Sequence, residues 1–296
     1  MKNILITGGT GFVGTHLIPQ LLDEGWAIEV LTRDKAAAEK TLPKPVVCIE
    51  SLDKASQPQA IVNLAGENLA DGRWTDAGKK EMRESRLSIT RDLVAFIGAC
   101  DTTPAVLVSG SAVGYYGARG TEVLDEEKAP GDEFQADLCR DWEAEALKAE
   151  AHGVRVCLIR TGIVLGAKDG ALAQMITPFK FGLGGHFGSG EQYMPWIHIK
   201  DQTGAIRFLL DNDEARGPFN LAAPEPVTNQ TFTDTLARVL HRPSFAWVPG
   251  PALKVAVGEM SHLLLTGQRA VPRKLQTLGY EFVFTDLEAA MADLVG

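Results

Sequence analysis

Eight residues near the start of the chain form a glycine-rich turn. Thr7-Gly8-Gly9-Thr10-Gly11-Phe12-Val13-Gly14 follows a short apolar run and opens an amphipathic stretch. Glycine is required where the chain turns tightly, where backbone amides approach a pyrophosphate, and where a helix packs closely on a strand. The N-terminus of the helix then stabilises the negative charge of the phosphates. The pattern predicts a dinucleotide site, and the alternative is a tight strand-to-helix turn without a ligand.

A second position bears on which dinucleotide would bind. Leu31-Thr32-Arg33-Asp34 stands about twenty residues past the glycines. NAD sites place an acid there, on the ribose 2′-hydroxyl, whereas NADP sites place an arginine beside the 2′-phosphate. Arg33, together with Thr32, favours NADP. In the alternative, Arg33 is a solvated charge at the end of a strand and Asp34 binds the ribose.

These residues need a parallel sheet to position them. Short apolar runs rich in β-branched residues alternate with amphipathic stretches, which is the pattern of βαβ units. The predicted strands are Asn3–Thr7, Ile28–Thr32, Pro45–Ile49, Ala60–Leu64, Ala105–Ser109 and Val154–Arg160. The predicted helices are Gly14–Glu24, about Asp76–Ala99, Glu133–His152, Thr228–Leu240, Pro251–Leu265 and Thr285–Leu294. The sequence therefore predicts the α/β class, with a doubly wound parallel sheet of the Rossmann type.

The pattern changes after Gly162, where many glycines indicate loops before helical periodicity returns. We predict an NADP-binding Rossmann domain over residues 1–165, to which segments after 190 return, and a smaller C-terminal α/β lobe for the substrate mainly over 166–296. The loop Phe181–Gly190 is either a substrate lid or a surface linker. Thr285, three residues before Glu288, fits a capping box, and Gly279 fits the end of the preceding helix, so this part of the chain is expected to fold.

Composition excludes several classes of partner. The chain carries 29 basic and 38 acidic residues, a net charge of −9, so we expect neither nucleic acid nor an anionic membrane as a partner. Its four cysteines form no C-x-x-C pair and suit reduced, packed thiols. The first apolar run is too short for a signal peptide, which favours a cytoplasmic location. The histidines show no metal-ligand spacing, so no metal site is expected.

The glycine turn Thr7–Gly14, together with Asn63-Leu64-Ala65-Gly66, resembles the extended short-chain dehydrogenase/reductase superfamily. More narrowly, the chain resembles an atypical, NAD-dependent epimerase/dehydratase-like branch called epimerase family proteins, which is also similar to cell-division inhibitor homologues. The segments that carry this narrower resemblance are Gly66-Glu67-Asn68, Trp74, Glu84-Ser85-Arg86, Arg160–Gly166, Trp196-Ile197-His198 and Gln268–Pro272. The resemblance implies a Rossmann domain that binds NADP(H), with contacts at Gly8, Gly11, Phe12, Val13, Gly14, Thr32, Arg33, Leu64, Ala65, Arg86 and Val164.

The catalytic pattern of that superfamily is incomplete in this chain. Its reductases carry a Tyr four residues before a Lys on one helix, so that the ammonium lowers the pKa of the phenol, and a Ser at the exit of the preceding strand. Ser111 falls where that serine stands. The helix offers either Gln135 and Cys139 or Phe134 and Leu138, depending on register, and neither pair supplies a phenol or an ammonium.

Several side chains are candidates for the missing proton donor. Tyr115 and Tyr116 share a loop with Ser111, and their alternative role is to pack as aromatic residues. Cys139 is either a thiolate or a buried, inert thiol. His198, in a stretch that alternates like a strand, suits a core histidine better than a catalytic one. Ser111 and Tyr115 are therefore the predicted catalytic residues.

Two functions follow from this combination of features. The first is an NADP(H)-dependent oxidoreductase or epimerase-like enzyme acting on a small polar metabolite, for which the resemblance suggests a nucleotide sugar. The second is a non-catalytic NADP(H)-binding regulator or sensor that acts through a protein partner. A homodimer is compatible with both. The missing Tyr and Lys are the reason for keeping the second hypothesis.

Overall fold

The computed structural model describes residues 2–67 and 74–295. Its strands are β1 Asn3–Thr7, β2 Ala27–Leu31, β3 Val47–Ile49, β4 Ala60–Asn63, β5 Val106–Ala112, β6 Val123–Leu124, β7 Arg155–Thr161, β8 Ile163–Leu165, β9 Gly185–Phe187, β10 Tyr193–Met194, β11 Trp196–His198, β12 Gly217–Leu221, β13 Val227–Thr228, β14 Ala246–Val248 and β15 Arg269–Ala270. Its α-helices are α1 Phe12–Asp23, α2 Lys35–Thr41, α3 Asp76–Ala99, α4 Phe134–Leu147, α5 Gly170–Lys180, α6 Ile199–Asp211, α7 Asn229–Leu240, α8 Gly250–Val257, α9 Ser261–Leu265, α10 Arg273–Thr277 and α11 Leu287–Val295.

A seven-stranded parallel sheet organises the molecule, in the order β12-β7-β5-β4-β1-β2-β3. The order reverses beside β1, so the carboxyl ends of β1 and β4 open a crevice suited to a nucleotide. All six predicted strands are present, with ends shifted by a few residues. The predicted α/β Rossmann class is confirmed.

The seventh strand, β12, was not predicted from the sequence. It begins Gly217-Pro218, a pair that is typical of a turn. In the structure β12 lies at the edge of the sheet, beside β7 alone, and proline is tolerated on an edge because only one side of the strand must donate to a neighbour.

The two faces of the sheet are covered by different helices. Along β1, Ile4 and Ile6 pack into one core with α1 and α6, whereas Leu5 packs into the opposite core with α3 and α4. This alternation is the period of two that a strand imposes on its side chains. Because both faces are covered, the central strands are apolar in their middle residues, with polar residues such as Asn63, Ser111 and Arg160 toward their carboxyl ends. The apolar runs explain why these strands were recognisable in the sequence.

A third apolar core joins β8, β11, α5, α7 and α11 in the C-terminal part of the chain. Three expectations about this part are corrected. The stretch predicted as loop contains the helix α5. The helix predicted over Pro251–Leu265 divides at Gly258, whose φ of +62° is a left-handed conformation that an α-helix does not contain. The last helix is capped by the Asp286 carboxylate, which accepts from the Ala289 amide at 2.9 Å, rather than by Thr285.

None of the helices within residues 2–67 and 74–295 is long and apolar enough to cross a membrane. The four cysteines are free thiols, and three of them, Cys48, Cys139 and Cys157, are buried.

Candidate functional site

The glycine turn between β1 and α1 has no room for side chains. A Cβ on Gly8, whose φ is +68°, would lie 2.6 Å from the backbone carbonyl carbon of Leu64. A Cβ on Gly14 would lie 2.6 Å from the carbonyl oxygen of Gly8. The first glycine therefore lets the turn approach the end of β4, and the second lets α1 pack directly on the turn.

The start of α1 presents free backbone donors. Gly11 is the N-cap and brings no side chain to cap the helix. Because the first amides of a helix have no intrahelical acceptor, those of Phe12, Val13 and Gly14 are available to an external anion. These donors, the helix dipole and the absence of side chains fit the pyrophosphate of a dinucleotide.

The side chain of Phe12 faces a different neighbour from its amide. Its ring packs against the segment after β8, where a Cβ on Gly170 would lie 2.8 Å from it and a Cβ on Gly166 would overlap it. Val164, in β8, is half-buried against the core that contains α1. The ring therefore fixes the distance between the glycine turn and β8.

The end of β2 forms one wall of a cavity of about 820 Å³ beside the glycine turn. The Arg33 side chain is 94% exposed at its mouth, and its Nη1 lies 4.0 Å from Glu67 Oε1. Asp34 points elsewhere, because its Oδ1 accepts from the Ala37 amide at 2.9 Å and thereby caps α2. The arginine is thus exposed and held only by a long ion pair, so it can meet a ligand in this cavity, whereas the Asp34 carboxylate already caps α2.

The loop after β4 forms the opposite wall. Thr7 Oγ1 donates to Asn63 Oδ1 at 2.6 Å and accepts from the Ala65 amide at 3.2 Å. The Arg86 guanidinium donates to the carbonyls of Met82, at 2.9 Å, and Glu67, at 2.6 Å. Burial lowers the pKa of Arg86. This arginine therefore holds the loop in place from beneath.

Six of the predicted cofactor residues line the cavity: Gly8, Gly11, Thr32, Arg33, Leu64 and Ala65. The other five are not part of that lining. Phe12 and Gly14 pack within or beside the glycine turn, Arg86 bonds the Glu67 carbonyl, and Val13 and Val164 pack on the core that contains α1. Asn68, part of the sequence resemblance, lies outside the described residues.

A buried ionic network occupies the position predicted for catalysis, at the end of β5. The Ser111 hydroxyl donates to Glu143 Oε1 at 2.6 Å. Arg160, from β7, donates through Nε and Nη2 to the two oxygens of the same carboxylate, each at 2.8 Å. All three residues are at least 95% buried. Because a hydroxyl carries one hydrogen, the Ser111 proton is directed at Glu143 and not at the cleft.

The charge of Arg160 is fully compensated despite its burial. Burial by itself lowers the pKa of the guanidinium, but its hydrogen bonds and charge interaction with Glu143 outweigh this effect, so the net pKa is raised. A buried pair of this kind requires excellent geometry to offset its desolvation. A glutamate on a helix is usually solvated, but Glu143 is buried because the strand that faces it carries Arg160.

The two neighbouring tyrosines differ in their surroundings. The Tyr116 hydroxyl donates to Asn220 Oδ1 at 2.7 Å and accepts from Arg160 Nη1 at 3.0 Å. Burial raises the pKa of Tyr116 to about 12. The Tyr115 ring is half-buried under the Arg160 guanidinium, 3.5 Å from the ring centroid. Within the described part of the chain its hydroxyl has no hydrogen-bond partner, so Tyr115 supplies the free phenol of this loop.

The network also reaches the C-terminal part of the chain. Asn220, from β12, donates its amide to Glu126 Oε1 at 3.0 Å, and the Lys274 amide lies 3.3 Å from the same carboxylate. Burial raises the pKa of Glu126, against several backbone hydrogen bonds that lower it. Three elements that are distant in the sequence are therefore joined through polar groups.

The face of helix α4 that lies toward β5 carries Gln135 and Cys139, the first of the two pairs that the sequence left open. Gln135, Cys139 and Glu143 follow one another at intervals of four, and Glu143 contacts Ser111 while Gln135 lies under Gly114. Burial, followed by the charge of Glu143, raises the pKa of the Cys139 thiol to about 12. The thiol is protonated at neutral pH and does not act as a thiolate.

A second cavity, of about 680 Å³, opens at the start of α4. Glu133, Phe134 and Gln135 form one wall, and residues of α8 and α9 form the other. Gln135 is 4% exposed and its Nε2 has no hydrogen-bond partner. A buried amide without a partner costs free energy unless a ligand or water supplies an acceptor.

His198 is a structural residue, as its alternating context indicated. It is fully buried, stacks on Phe284, and accepts from the Lys200 amide through Nδ1 at 3.1 Å, which caps α6. Burial lowers its pKa to about 4, although Asp293 opposes this effect. No group of metal-ligating side chains is formed within the described residues.

The doubly wound sheet, the glycine turn and the crevice beside it define a dinucleotide-binding protein of the Rossmann type. Residues 4–222 match the model of the NAD dependent epimerase/dehydratase family, and residues 248–294 match a domain of unknown function, DUF1731. The chain belongs to this epimerase/dehydratase family and is an NAD(P)-binding, epimerase-like protein. The resemblance drawn from the sequence is confirmed.

Similar proteins cover nearly the whole chain. The Epimerase family protein YfhF of Bacillus subtilis is 39% identical over 99% of this chain and 98% of its own length. The human epimerase family protein SDR39U1, crystallised with NADPH, is 34% identical, with a TM-score of 0.89 over 99% of this chain and 98% of its own. A nucleoside-diphosphate sugar epimerase of Corynebacterium glutamicum is 32% identical, with a TM-score of 0.80 over 100% of this chain and 58% of its own.

Proposed function

We propose that this protein is an NADP(H)-dependent oxidoreductase or epimerase-like enzyme that acts on a small polar metabolite. The observation that carries the proposal is the pair of cavities at the carboxyl ends of the parallel strands, one beside the glycine turn and one beside Gln135. An open α/β sheet binds its ligands at that edge. One cavity suits a dinucleotide, and the other offers a separate place for a substrate.

The choice of NADP(H) over NAD(H) rests on Arg33 and Asp34. Arg33 is exposed, its ion pair with Glu67 is long at 4.0 Å, and it can therefore pair with a 2′-phosphate, whereas Asp34 already caps α2. A guanidinium binds phosphate through two parallel hydrogen bonds, and such charge-assisted bonds are stronger than neutral ones. The human relative crystallised with NADPH is consistent with this assignment.

Bound NADPH would supply a hydride to a carbonyl carbon. The chain itself must then orient the carbonyl and exchange one proton with its oxygen. Tyr115 presents a free phenol at the end of β5, and Ser111 faces the same loop while its proton is directed at Glu143. We therefore propose that the Tyr115 hydroxyl orients the substrate carbonyl by donating a hydrogen bond to its oxygen, and that Ser111 positions this loop through Glu143.

Charged and amide side chains line the second cavity, and for this reason we propose a polar substrate. Lys79, Glu133, Gln135 and His262 contribute to that lining, and Phe134 and Trp74 add a flat apolar surface. A nucleotide sugar combines such polar and flat parts. The name of the Corynebacterium relative supports this class of substrate.

Cofactor binding tests the proposal directly. The purified protein should bind NADPH tightly and NADH weakly, and Arg33→Ala should remove most of that difference by losing a contact of about 1.5–3 kcal/mol. Arg238→Ala, which removes an exposed arginine from α7, should leave the preference unchanged. Isothermal titration with both nucleotides measures the effect, and equal affinity of the unaltered protein for the two would refute the NADP assignment.

A second function is favoured by the groups on α4. This face carries Gln135, Cys139 and Glu143 and no Tyr–Lys pair, and Ser111 is engaged by Glu143. These observations support a non-catalytic NADP(H)-binding regulator that acts through a protein partner or as a homodimer. Hydride transfer from bound NADPH to any member of a carbonyl and nucleotide-sugar panel would eliminate it.

A further inference from the structure

Polar side-chain atoms without partners are concentrated at the second cavity. Of the seven such atoms that are buried within the described residues, three belong to Glu133, Gln135 and His262, which all line this cavity. Glu133 Oε2 faces Gly117 and Gly131, and His262 Nε2 faces Glu133 Oε1. The Gln135 amide is therefore the member of this group whose missing acceptor a ligand would supply, because buried polar groups are normally hydrogen-bonded.

Glu133 is held rigidly at the start of α4. Its Oε1 accepts from the Ala118 amide at 3.1 Å. Its Oε2 lies against Gly117 and Gly131, and a Cβ on Gly117 would overlap it. Because the carboxylate has no space to turn, it presents a fixed charge to its neighbour.

That neighbour is the His262 ring, whose Nε2 lies 3.5 Å from Glu133 Oε1 and is buried. The side chain as a whole remains 38% exposed. Its other nitrogen, Nδ1, has no hydrogen-bond partner within residues 2–67 and 74–295. A carboxylate beside one ring nitrogen fixes the proton on that nitrogen and leaves the other nitrogen to exchange protons.

We propose that His262, oriented by Glu133, is the group that exchanges a proton with the substrate in this cavity, and that the Gln135 amide donates to the substrate oxygen. The inference rests on the proposed function. Gln135 contacts Gly114 in the turn that follows β5, so this cavity lies beside the carboxyl end of that strand. The carbonyl-containing part of a polar metabolite is the ligand that this arrangement suits.

The proton balance of the step is complete. A carbonyl whose carbon accepts a hydride leaves an electron pair on its oxygen, and that oxygen needs one proton. The His262 imidazolium gives the proton from Nδ1, so the C–O group becomes an alcohol and the ring becomes the neutral form protonated on Nε2. The exposed edge of the ring then takes a proton from solvent. In the reverse direction His262 accepts the proton of an alcohol.

The first experiment measures the tautomer of His262 and needs no turnover. In protein labelled with ¹⁵N-histidine, nuclear magnetic resonance distinguishes the two ring nitrogens, and His262→Asn identifies the signal. We expect the neutral ring to carry its proton on Nε2 in essentially all molecules, and Glu133→Ala to lower the Nε2–H fraction to that of histidine in a short peptide, which itself favours this tautomer. A proton on Nδ1, or an Nε2–H fraction in the unaltered protein no higher than that of the peptide, would overturn the inference.

The second experiment measures turnover of NADPH with a panel of aldehydes, ketones and nucleotide sugars. We expect His262→Asn to lower kcat by about 100-fold or more, with NADPH affinity unchanged, because loss of a general acid typically costs that much. Gln135→Leu should lower kcat/KM by about tenfold, the loss of one hydrogen bond. His241→Asn is the matched control, since asparagine tolerates the left-handed backbone at that position, where φ is 52°.

The outcomes separate the two proposals. Full turnover by His262→Asn would overturn this inference and leave the proposed function intact. The absence of turnover by the unaltered protein, with NADPH bound, would overturn the proposed function and the catalytic role of His262 together. Loss of turnover in His262→Asn and not in His241→Asn supports both.

Discussion

Removing the charge of Glu143 should expose how strongly the fold depends on the network at the end of β5. In Glu143→Gln, Arg160 loses the one carboxylate that bonds it within the described residues. It keeps neutral partners only, the Tyr116 hydroxyl at 3.0 Å, the Glu126 carbonyl at 3.4 Å and the Tyr115 ring at 3.5 Å. The side chain is 4% exposed, so water does not replace the lost partner.

The expected loss is about 3–5 kcal/mol of folding free energy, the usual cost of leaving a buried charge without its partner. This is a large part of the about 5–15 kcal/mol that stabilises a typical domain. Urea denaturation followed by circular dichroism measures it, as a lower midpoint at unchanged slope. The neutral double variant Glu143→Leu with Arg160→Met should recover most of the loss, because it leaves no uncompensated charge.

Glu145→Gln provides the matched control on the same helix. Glu145 pairs with Lys148 at 2.8 Å, and that lysine is 61% exposed, so the expected cost is below about 1 kcal/mol. If Glu143→Gln cost no more than Glu145→Gln, or if the double variant were as unstable as Glu143→Gln, the description of the network as a compensated buried ion pair would be refuted.

Three further outcomes are expected. Burial lowers the pKa of His198 from 6.5 to about 4, so neutral His198 contributes about 3 kcal/mol to the free energy of unfolding above pH 6.5, and this contribution is lost as the pH falls toward 4. His198→Asn, which keeps an N-cap acceptor, should flatten the dependence of the unfolding free energy on pH between 6.5 and 4. An unchanged slope over this range would contradict the assignment. Gly14→Ala would place a Cβ 2.6 Å from the Gly8 carbonyl oxygen, so we expect overpacking to lower the free energy of unfolding by about 1–3 kcal/mol. NADPH should also bind more weakly, as measured by isothermal titration, and wild-type affinity would show that the turn is not rigid. Iodoacetamide should label the half-buried Cys100 before the buried Cys139, because burial raises the pKa of the Cys139 thiol to about 12. If mass spectrometry found Cys139 modified first in the native protein, the Cys139 thiol would be accessible and the prediction wrong.

The glycine turn and the strands that form the proposed cofactor site were predictable from the sequence, because the residue patterns that specify them are local. The sequence Thr7–Gly14 places glycine where the strand, the turn and the helix meet, and each requirement acts over a few residues. The central strands were predictable because burial on both faces makes their middle residues apolar. The strand β12 was missed because its start, Gly217-Pro218, is typical of a turn, and the helix α5 was missed because it begins at Gly170 within a glycine-rich stretch. Only the sheet edge beside β7 and the contact of Gly170 with the Phe12 ring explain these elements.

The sequence by itself determined the fold class, the glycine turn and the absence of a Tyr–Lys pair on α4. Tertiary structure alone decided which polar residues meet: Ser111, Glu143 and Arg160 come from β5, α4 and β7, and Glu133 meets His262 across a cavity. The physical reason is that helix and strand periodicity follow from neighbours along the chain, whereas an ion pair or a shared proton depends on distances that only the packing of whole elements sets.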